Sequence, residues 1–137
     1  VICRLMTDRK PLPGKLAFSR DLFVLLFLLR GMPFVDLAFL RRCDLQGNVI
    51  TYHRRKTSRK LTVVVGKEAM EIIQKYMYAI PDSPYLFPII QNPGKDEYGQ
   101  YARMLRLQNY RLTQVANILG IRDRLSTYNG KHNIFSI

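Results

Sequence analysis

The chain has 137 residues, of which 47% are hydrophobic and 11% aromatic, and this composition predicts a packed globular domain rather than a disordered segment. Its 22 basic residues outnumber its 10 acidic ones, which gives a formal net charge of +12. An excess of this size is typical of proteins that bind a polyanion, above all the phosphate backbone of a nucleic acid.

The sequence argues against membrane, secreted and metal-dependent classes. Its longest apolar run, LFVLLFLL, is far shorter than the roughly 20 residues of a membrane-spanning helix, and the start does not resemble a signal peptide. Cys3 and Cys43 have no paired spacing, so neither a disulfide framework nor a metal site is indicated. We therefore expect a cytoplasmic protein that has no metal and does not associate with a membrane.

The first half of the chain predicts two helices. Residues 1–18 are polar, contain two prolines and are interpreted as a lead-in. Ser19 is placed to cap a helix through LFVLLFLLRG, with Asp21 in its first turn and Gly31 at its end. Because that helix is apolar on nearly every side, we expect it to be the buried centre of the fold. Pro33 suits the first position of a second helix, PFVDLAFLRR.

A hairpin and two further helices are predicted next. After the turn LQGN, the stretches Val49–Lys56 and Leu61–Val65 are rich in β-branched residues and flank a polar, basic tip, which predicts a β-hairpin. KEAMEIIQKYMYAI has helical apolar spacing, and the proline-rich segment from Pro81 to Gly99 predicts a long loop. A last helix is predicted from about Tyr101 to Leu119, with Gly120 just past its end.

These elements predict a mainly α fold with a small antiparallel β-hairpin or sheet, of the α+β class. We expect a single domain over residues 1–137, with the helical core and hairpin in residues 19–120. Residues 121–137 have little pattern and are interpreted as a tail.

The basic residues are concentrated around the hairpin. Residues 41–60 contain seven of them against one acid, Asp44, which favours a binding strip over a charge excess that serves only solubility. We expect six of the seven to contact a DNA backbone: Arg41, Arg42, Arg54, Arg55, Arg59 and Lys60.

Two cations occupy less ordinary positions. Arg30 follows eight apolar residues at the end of a buried helix, so it must be paired, cap helix carbonyls or face an anion. Lys56 lies beside Arg54 and Arg55 in the hairpin, where a solvated strand edge is the ordinary interpretation. His53 and His132 are isolated, and for His53 an ordinary strand position is favoured.

Three segments together resemble a known family. LLRGMPFVDLAFLRRCDL, then ITYHRRKTSRKLTV, then YLFPII are similar to the catalytic domain of the tyrosine recombinases, the phage-integrase family. The likeness is strongest to a branch from mobile elements that carries the motif RGM-x-F-VD-x-A-x-L. It covers roughly Ser19 to Tyr128.

The resemblance implies DNA strand cleavage and rejoining through a 3′-phosphotyrosine, without any cofactor. It assigns to Lys56 the role of the hairpin lysine, a general acid, and to Arg30 that of the first arginine, which stabilises the phosphorane. Arg30 lies three residues, about one helical turn, before the commoner family position, which is Pro33 here. Asp36 matches an acidic residue that braces the site, although a helix-dipole role explains an acid there equally well.

The tail departs from the family pattern. Tyr128, Lys131 and His132 fall in the second-arginine box, where Lys131 replaces an arginine with a charge that lacks the bidentate fork. The family's nucleophilic tyrosine lies beyond residue 137, so we expect a truncated catalytic domain that binds double-stranded DNA without cleaving it. We expect this fragment to be a monomer and its full-length parent a tetramer on DNA.

The alternative is a non-enzymatic, basic nucleic-acid-binding module that matches the motif by chance. The two interpretations differ in geometry, because only a recombinase site requires Arg30 and Lys56 to converge on one basic concavity.

Overall fold

The computed structural model describes residues 2–8, 10–122 and 124–126. It confirms a mainly α fold with a small antiparallel sheet, whose elements in chain order are α1 (Ile2–Thr7), α2 (Gly14–Leu28), α3 (Phe34–Ala38), a 3₁₀ turn (Arg42–Asp44), β1 (Leu45–Gln46), β2 (Val49–His53), β3 (Lys60–Val64), α4 (Lys67–Tyr76) and α5 (Glu97–Leu119).

Helix α2 is the buried centre of the fold, as its sequence predicts. One side, with Leu22, Leu25 and Leu26, packs into a core shared with α3, the sheet and α4. The other side, with Phe23 and Val24, packs against α1 and α5. A helix covered on two sides has no polar face, which is why its apolar residues are nearly continuous. No described helix is both long and apolar enough to cross a membrane.

The predicted start of α2 at Ser19 was wrong. The helix begins at Gly14, directly after Pro13, and Ser19 is fully buried inside it. The Ser19 carbonyl accepts a hydrogen bond from the buried Gln108 side chain of α5 at 2.8 Å. The first residues of α2, Gly14 and Lys15, are exposed and have no apolar side chain, so the apolar pattern begins only at Leu16. Residues 2–7, interpreted as lead-in, form α1.

The second helix is shorter than predicted. Pro33 precedes α3 in an extended conformation instead of occupying its first turn, and the helix ends at Ala38. The chain beyond it pairs with the proline-rich loop: the Leu86 N–H donates to the Leu40 carbonyl and the Arg42 N–H to the Pro84 carbonyl, each at 2.8 Å. These bonds replace the helical ones that FLRR was predicted to make.

The predicted hairpin is confirmed, with one additional strand. β2 pairs antiparallel with β3 from Val49–Val64 to His53–Lys60. The two-residue strand β1 pairs with the start of β2 across a turn at Gly47, which has φ +62°, so the sheet order is β1-β2-β3. Ile50 and Val63 are buried against the core, whereas Lys60, Thr62 and Val64 are exposed.

Helix α5 begins earlier than predicted, within the expected loop. The Asp96 side chain accepts a hydrogen bond from the Gly99 N–H at 3.2 Å and caps the helix. A Cβ on residue 99 would clash with the Asp96 carboxylate, so glycine is required for this cap. Gly120 ends the helix in the left-handed conformation, as predicted.

Arg42 fastens the 3₁₀ turn to the end of α4. Its guanidinium donates to the carbonyls of Met77 at 3.0 Å, Ile80 at 2.6 Å and Pro81 at 2.8 Å. These carbonyls belong to the chain that follows α4, and that of Ile80 also accepts the Ser83 N–H at 3.1 Å, so the arginine ties the 3₁₀ turn to the segment after the helix.

We predict that Arg42→Ala lowers the free energy of unfolding by about 2 kcal/mol, because three charge-assisted hydrogen bonds are lost at a half-exposed site. Arg42→Lys should recover less than half, since an ammonium cannot reach all three carbonyls in the planar geometry of a guanidinium. Urea denaturation measures both effects. The control Arg59→Ala, at an exposed position, should stay within about 0.5 kcal/mol of wild type; equal losses for Arg42→Ala and Arg59→Ala would contradict the structural role.

Candidate nucleic-acid interface

The arginines and lysines of the basic strip predicted from the sequence fall into two groups, exposed and half-buried. Five of its members have exposed side chains: Arg41, Arg55, Lys56, Arg59 and Lys60. Arg42 and Arg54 are half-buried, and both have protein partners. Residues 55–59 form the tip of the hairpin beyond the paired strands, and Lys60 is the first residue of β3. The tip therefore presents concentrated positive charge to solvent.

A buried carboxylate holds the hairpin to α3. Asp36 lies in the first turn of α3 and is only 4% exposed. It accepts a hydrogen bond from the backbone N–H of Arg55 at 3.1 Å, and the Nε of Arg54 lies 3.9 Å from its other oxygen. Because a buried carboxylate requires partners, this acid fixes where β2 ends relative to α3. Lys56 follows the anchored Arg55 directly.

The end of α2 places Arg30 in an unusual conformation. The Gly31 N–H donates to the Leu26 carbonyl at 2.9 Å and the Arg30 N–H to the Phe27 carbonyl at 3.1 Å, which is the bonding pattern of a Schellman motif. Arg30 occupies the left-handed position of that motif, with φ +61°, and its side chain is exposed. The sequence indicated Gly31 for that position.

The same motif ends α5, with the usual residue in the same place. There the Ile121 N–H donates to the Ala116 carbonyl at 2.8 Å, and the left-handed position is Gly120, with φ +68°. A non-glycine residue in this conformation costs about 1 kcal/mol. Arg30 is thus a strained choice at a position that glycine fills elsewhere in the chain, and such strain often accompanies function.

A cavity of about 360 Å³ lies between the hairpin, α3 and the start of α5. Three carboxylates line it, from Asp36, Asp44 and Glu97, together with the guanidinium groups of Arg41 and Arg55. The rest of the wall is largely aromatic, with contributions from Phe39, Tyr52, His53 and Tyr85.

Each carboxylate in the cavity has protein partners. Asp44 accepts from the Arg41 N–H at 2.9 Å and lies 3.6 Å from the Arg41 guanidinium. Glu97 accepts from the Tyr85 hydroxyl at 2.6 Å and from the Gly94 N–H at 2.9 Å. The bond from Tyr85 is the larger cause, and that from Gly94 the second, of a lowered pKa of the Glu97 carboxyl. Burial, followed by the bond to Glu97, raises the pKa of Tyr85 to about 12.

The structure brings together some of the predicted site residues. Asp36, Arg41 and Arg55 meet at the cavity, whereas neither Arg30 nor Lys56 is among the described residues that line it. Lys131, Tyr128 and His132 lie outside the described residues. Within the described part of the chain, no group of histidine, cysteine and acidic side chains could hold a metal ion.

Helix α5 adds positive charge that the sequence analysis did not assign to the interface. Arg103 and Arg106 are exposed on α5, and the helix has no acidic residue after Glu97. Tyr98 and Tyr110 are also exposed on it, at 66% and 64%. In the sequence, this charge is visible as a run of basic residues without an acidic one after Glu97, but the basic cluster in residues 41–60 is denser and was the one assigned to DNA.

Solved structures with a similar fold exist. Six solved chains match, among them one described as the crystal structure of XerA recombinase, with a TM-score of 0.62 and 15% sequence identity. The alignment covers 97% of this chain and 46% of the XerA chain, so the present sequence spans about half the length of that protein. No protein-family model and no curated protein sequence matches the chain.

We predict that Tyr85→Phe makes the protein less stable by about 1 kcal/mol near pH 7, a value reduced for the partial exposure of the pair. The folded-state pKa of Glu97 is lowered, so its contribution is present above the unfolded carboxyl pKa and disappears as the pH falls through the folded value. The folded-state pKa of Tyr85 is raised, so its contribution is present below about pH 10 and disappears as the pH rises toward 12.

Wild type and Tyr85→Phe should therefore differ most between about pH 5 and 10 and converge at acid and alkaline pH. Urea denaturation across the pH range measures this. Tyr98→Phe, which alters an exposed hydroxyl on the same helix end as Glu97, is the matched control and should leave the profile unchanged. A constant difference between Tyr85→Phe and wild type at all pH values would rule out the proposed coupling.

Proposed function

We propose that this chain is the DNA-binding part of a tyrosine-recombinase-type catalytic domain, and that its hairpin tip lies along the backbone of double-stranded DNA. The observation that carries the proposal is the hairpin itself, whose exposed cations are held to α3 by the buried Asp36. The resemblance in sequence and the recombinase-like fold support the same assignment. DNA strand exchange is proposed only for a longer protein that contains this domain.

The contacts of the arginines suggest different roles in DNA binding. Arg41, Arg55, Arg59 and Lys60 are exposed and are assigned to phosphate contacts, which Arg103 and Arg106 on α5 extend. Arg54 pairs with Asp36 and contributes less to DNA. Arg42 was expected at the interface, but its guanidinium is committed to three carbonyls, so we assign it chiefly to stability.

Lys56 and Arg30 are assigned the chemical roles that the resemblance implies. Lys56 follows the anchored Arg55, so its backbone is held in place while its exposed ammonium stays mobile enough to donate a proton, as a general acid requires. Arg30 supplies a guanidinium for a phosphate from a rigid helix end. Asp36 positions the hairpin and does not contact DNA.

For this chain alone we propose binding without strand cleavage. Burial raises the pKa values of Tyr52, Tyr76, Tyr85 and Tyr101, which makes each a poorer source of phenolate. The resemblance assigns the role of the nucleophile to none of the other described tyrosines, Tyr78, Tyr98 and Tyr110. A nicked suicide duplex should therefore yield no covalent protein–DNA adduct on a denaturing gel, and any adduct would refute this part of the proposal.

Duplex binding should depend steeply on salt. If the five exposed cations of the strip each neutralise a phosphate, the slope of log K against log salt concentration is about −4 to −5. Fluorescence anisotropy with a labelled duplex measures that slope. Arg59→Ala should make the slope shallower by about 0.9, whereas Thr62→Ala, an exposed but uncharged change on β3, should not alter it. A slope near zero would reject DNA binding.

The variant Arg30→Gly should change DNA binding and stability in opposite directions. Glycine relieves the left-handed strain, so the variant should be more stable than wild type by about 1 kcal/mol. Loss of a charged phosphate contact should weaken duplex binding about tenfold at low salt. Denaturation and anisotropy measure the two effects. Gly120→Ala, at the equivalent position of α5, is the reciprocal control and should lose about 1 kcal/mol without a tenfold change in affinity.

The same variants test the alternative, a basic module without a recombinase site. That alternative is favoured by the absence of Arg30 and Lys56 from the lining of the described cavity. In such a module the strip would act as interchangeable charge, and Arg30→Gly would cost no more affinity than Arg59→Ala. A clearly larger loss for Arg30→Gly supports the recombinase-type assignment.

A further inference from the structure

The 360 Å³ cavity beside the hairpin has no role in the function proposed above, and its charge is unusual for this protein. Its three carboxylates face two guanidinium groups, while the chain as a whole carries +12. With Arg54 paired to Asp36, positive and negative charges at this site balance. A balanced wall with hydrogen-bond donors, acceptors and aromatic rings suits a neutral, planar, polar guest better than a bare anion or cation.

The wall also contains a preformed stack. The guanidinium of Arg55 lies 4.1 Å from the centroid of the Phe39 ring, and Phe39 in turn meets Tyr85 edge to face at 6.0 Å. A guanidinium plane held on one face by an aromatic ring can stack a second planar group on its other face. Unstacked nucleobases are recognised in this way on arginine planes.

We propose that this cavity accepts a single unpaired nucleobase from the DNA that lies along the hairpin, stacked on the Arg55 guanidinium. The inference rests on the proposed function, because the strand reaches the cavity only when the strip binds DNA. Arg41 also lines the cavity, and its guanidinium is exposed although it lies 3.6 Å from Asp44, so we assign it to the phosphate of the extruded nucleotide. Asp44 and Glu97 offer carboxylate oxygens to the amino groups of a base edge.

Other guests fit the observations less well. A phosphate deep in the cavity would meet three carboxylates, and a bare cation would meet two guanidinium groups. A volume of about 360 Å³ lies at the small end of the range of roughly 300–1,000 Å³ for ligand sites, which suits one nucleotide and not a longer single strand.

The test compares three duplexes of one sequence: fully paired, with a single-nucleotide bulge, and with the same bulge lacking its base. Wild type should bind the bulged duplex about tenfold more tightly than the paired one, since a stacked base contributes about 1–3 kcal/mol. The abasic bulge, which bends as readily but has no base to insert, should show no such preference. Equal affinity for the two bulges would overturn the proposal.

Arg55→Lys tests the stack while it keeps the charge. It should lose the preference for the bulged duplex, because an ammonium has no planar face. The readout is the ratio of the affinities for the bulged and paired duplexes, since a change in the phosphate contact of Arg55 affects both duplexes alike. Arg59→Ala is the matched control and should weaken all three duplexes equally. Retention of the bulge preference in Arg55→Lys would contradict stacking on Arg55, and an unchanged unfolding midpoint of that variant excludes a folding defect.

Failure of the two proposals can be distinguished. Strong duplex binding without a bulge preference rejects the base site and leaves the proposed function intact. A second arm titrates the chain with deoxyguanosine monophosphate and follows binding by calorimetry. Binding that Arg55→Lys abolishes, in a chain that does not bind duplex, would support the base site and reject the function proposed for the strip. Absence of binding in both arms rejects both proposals.

Discussion

The candidate site depends on one buried carboxylate at the junction of a helix and a hairpin. Asp36 is nearly inaccessible to solvent, and it accepts the backbone N–H of Arg55. The desolvation of a carboxylate is costly, so the contact is stable only while β2 ends in register with α3. That register decides which side of the hairpin faces the cavity and which faces solvent. The positions of both Arg55 and Lys56 therefore follow from an acid that need not contact DNA itself.

The exposed charge and the buried acid are linked. Adjacent cations at the tip of a hairpin repel one another, and in an isolated hairpin that repulsion would favour fraying of the strands. Here the backbone just before the tip is held by Asp36, and the β2–β3 ladder is extended by the 2.8 Å bond from the Arg54 N–H to the Arg59 carbonyl. The protein thus concentrates positive charge at the tip while the backbone before the tip keeps its geometry.

The sequence predicts well those elements whose signals are local. The apolar run of α2 and the β-branched stretches of the hairpin locate a central helix and two strands, because burial on two sides and a pleated surface each leave a distinct pattern. The start of α2 was mispredicted because its first residues, Gly14 and Lys15, are exposed and have no apolar side chain. The end of α3 was mispredicted because it depends on a distant partner, Leu86 in the loop. The sequence located the basic strip. It did not distinguish the exposed arginines from Arg42, whose guanidinium binds backbone carbonyls at the end of α4.

The two Schellman motifs differ in the residue that occupies their left-handed position, a difference that composition does not reveal. Arg30 and Gly120 have the same backbone role at the ends of α2 and α5, yet only the first carries a side chain that the conformation disfavours. If packing alone selected these residues, glycine would be expected at both, since it satisfies the same carbonyls without strain. Arg30 thus keeps an exposed guanidinium at a position where glycine would relieve the backbone strain. The phosphate contact proposed for Arg30 would account for this choice, because a chain of charge +12 attracts the phosphate backbone of a nucleic acid strongly.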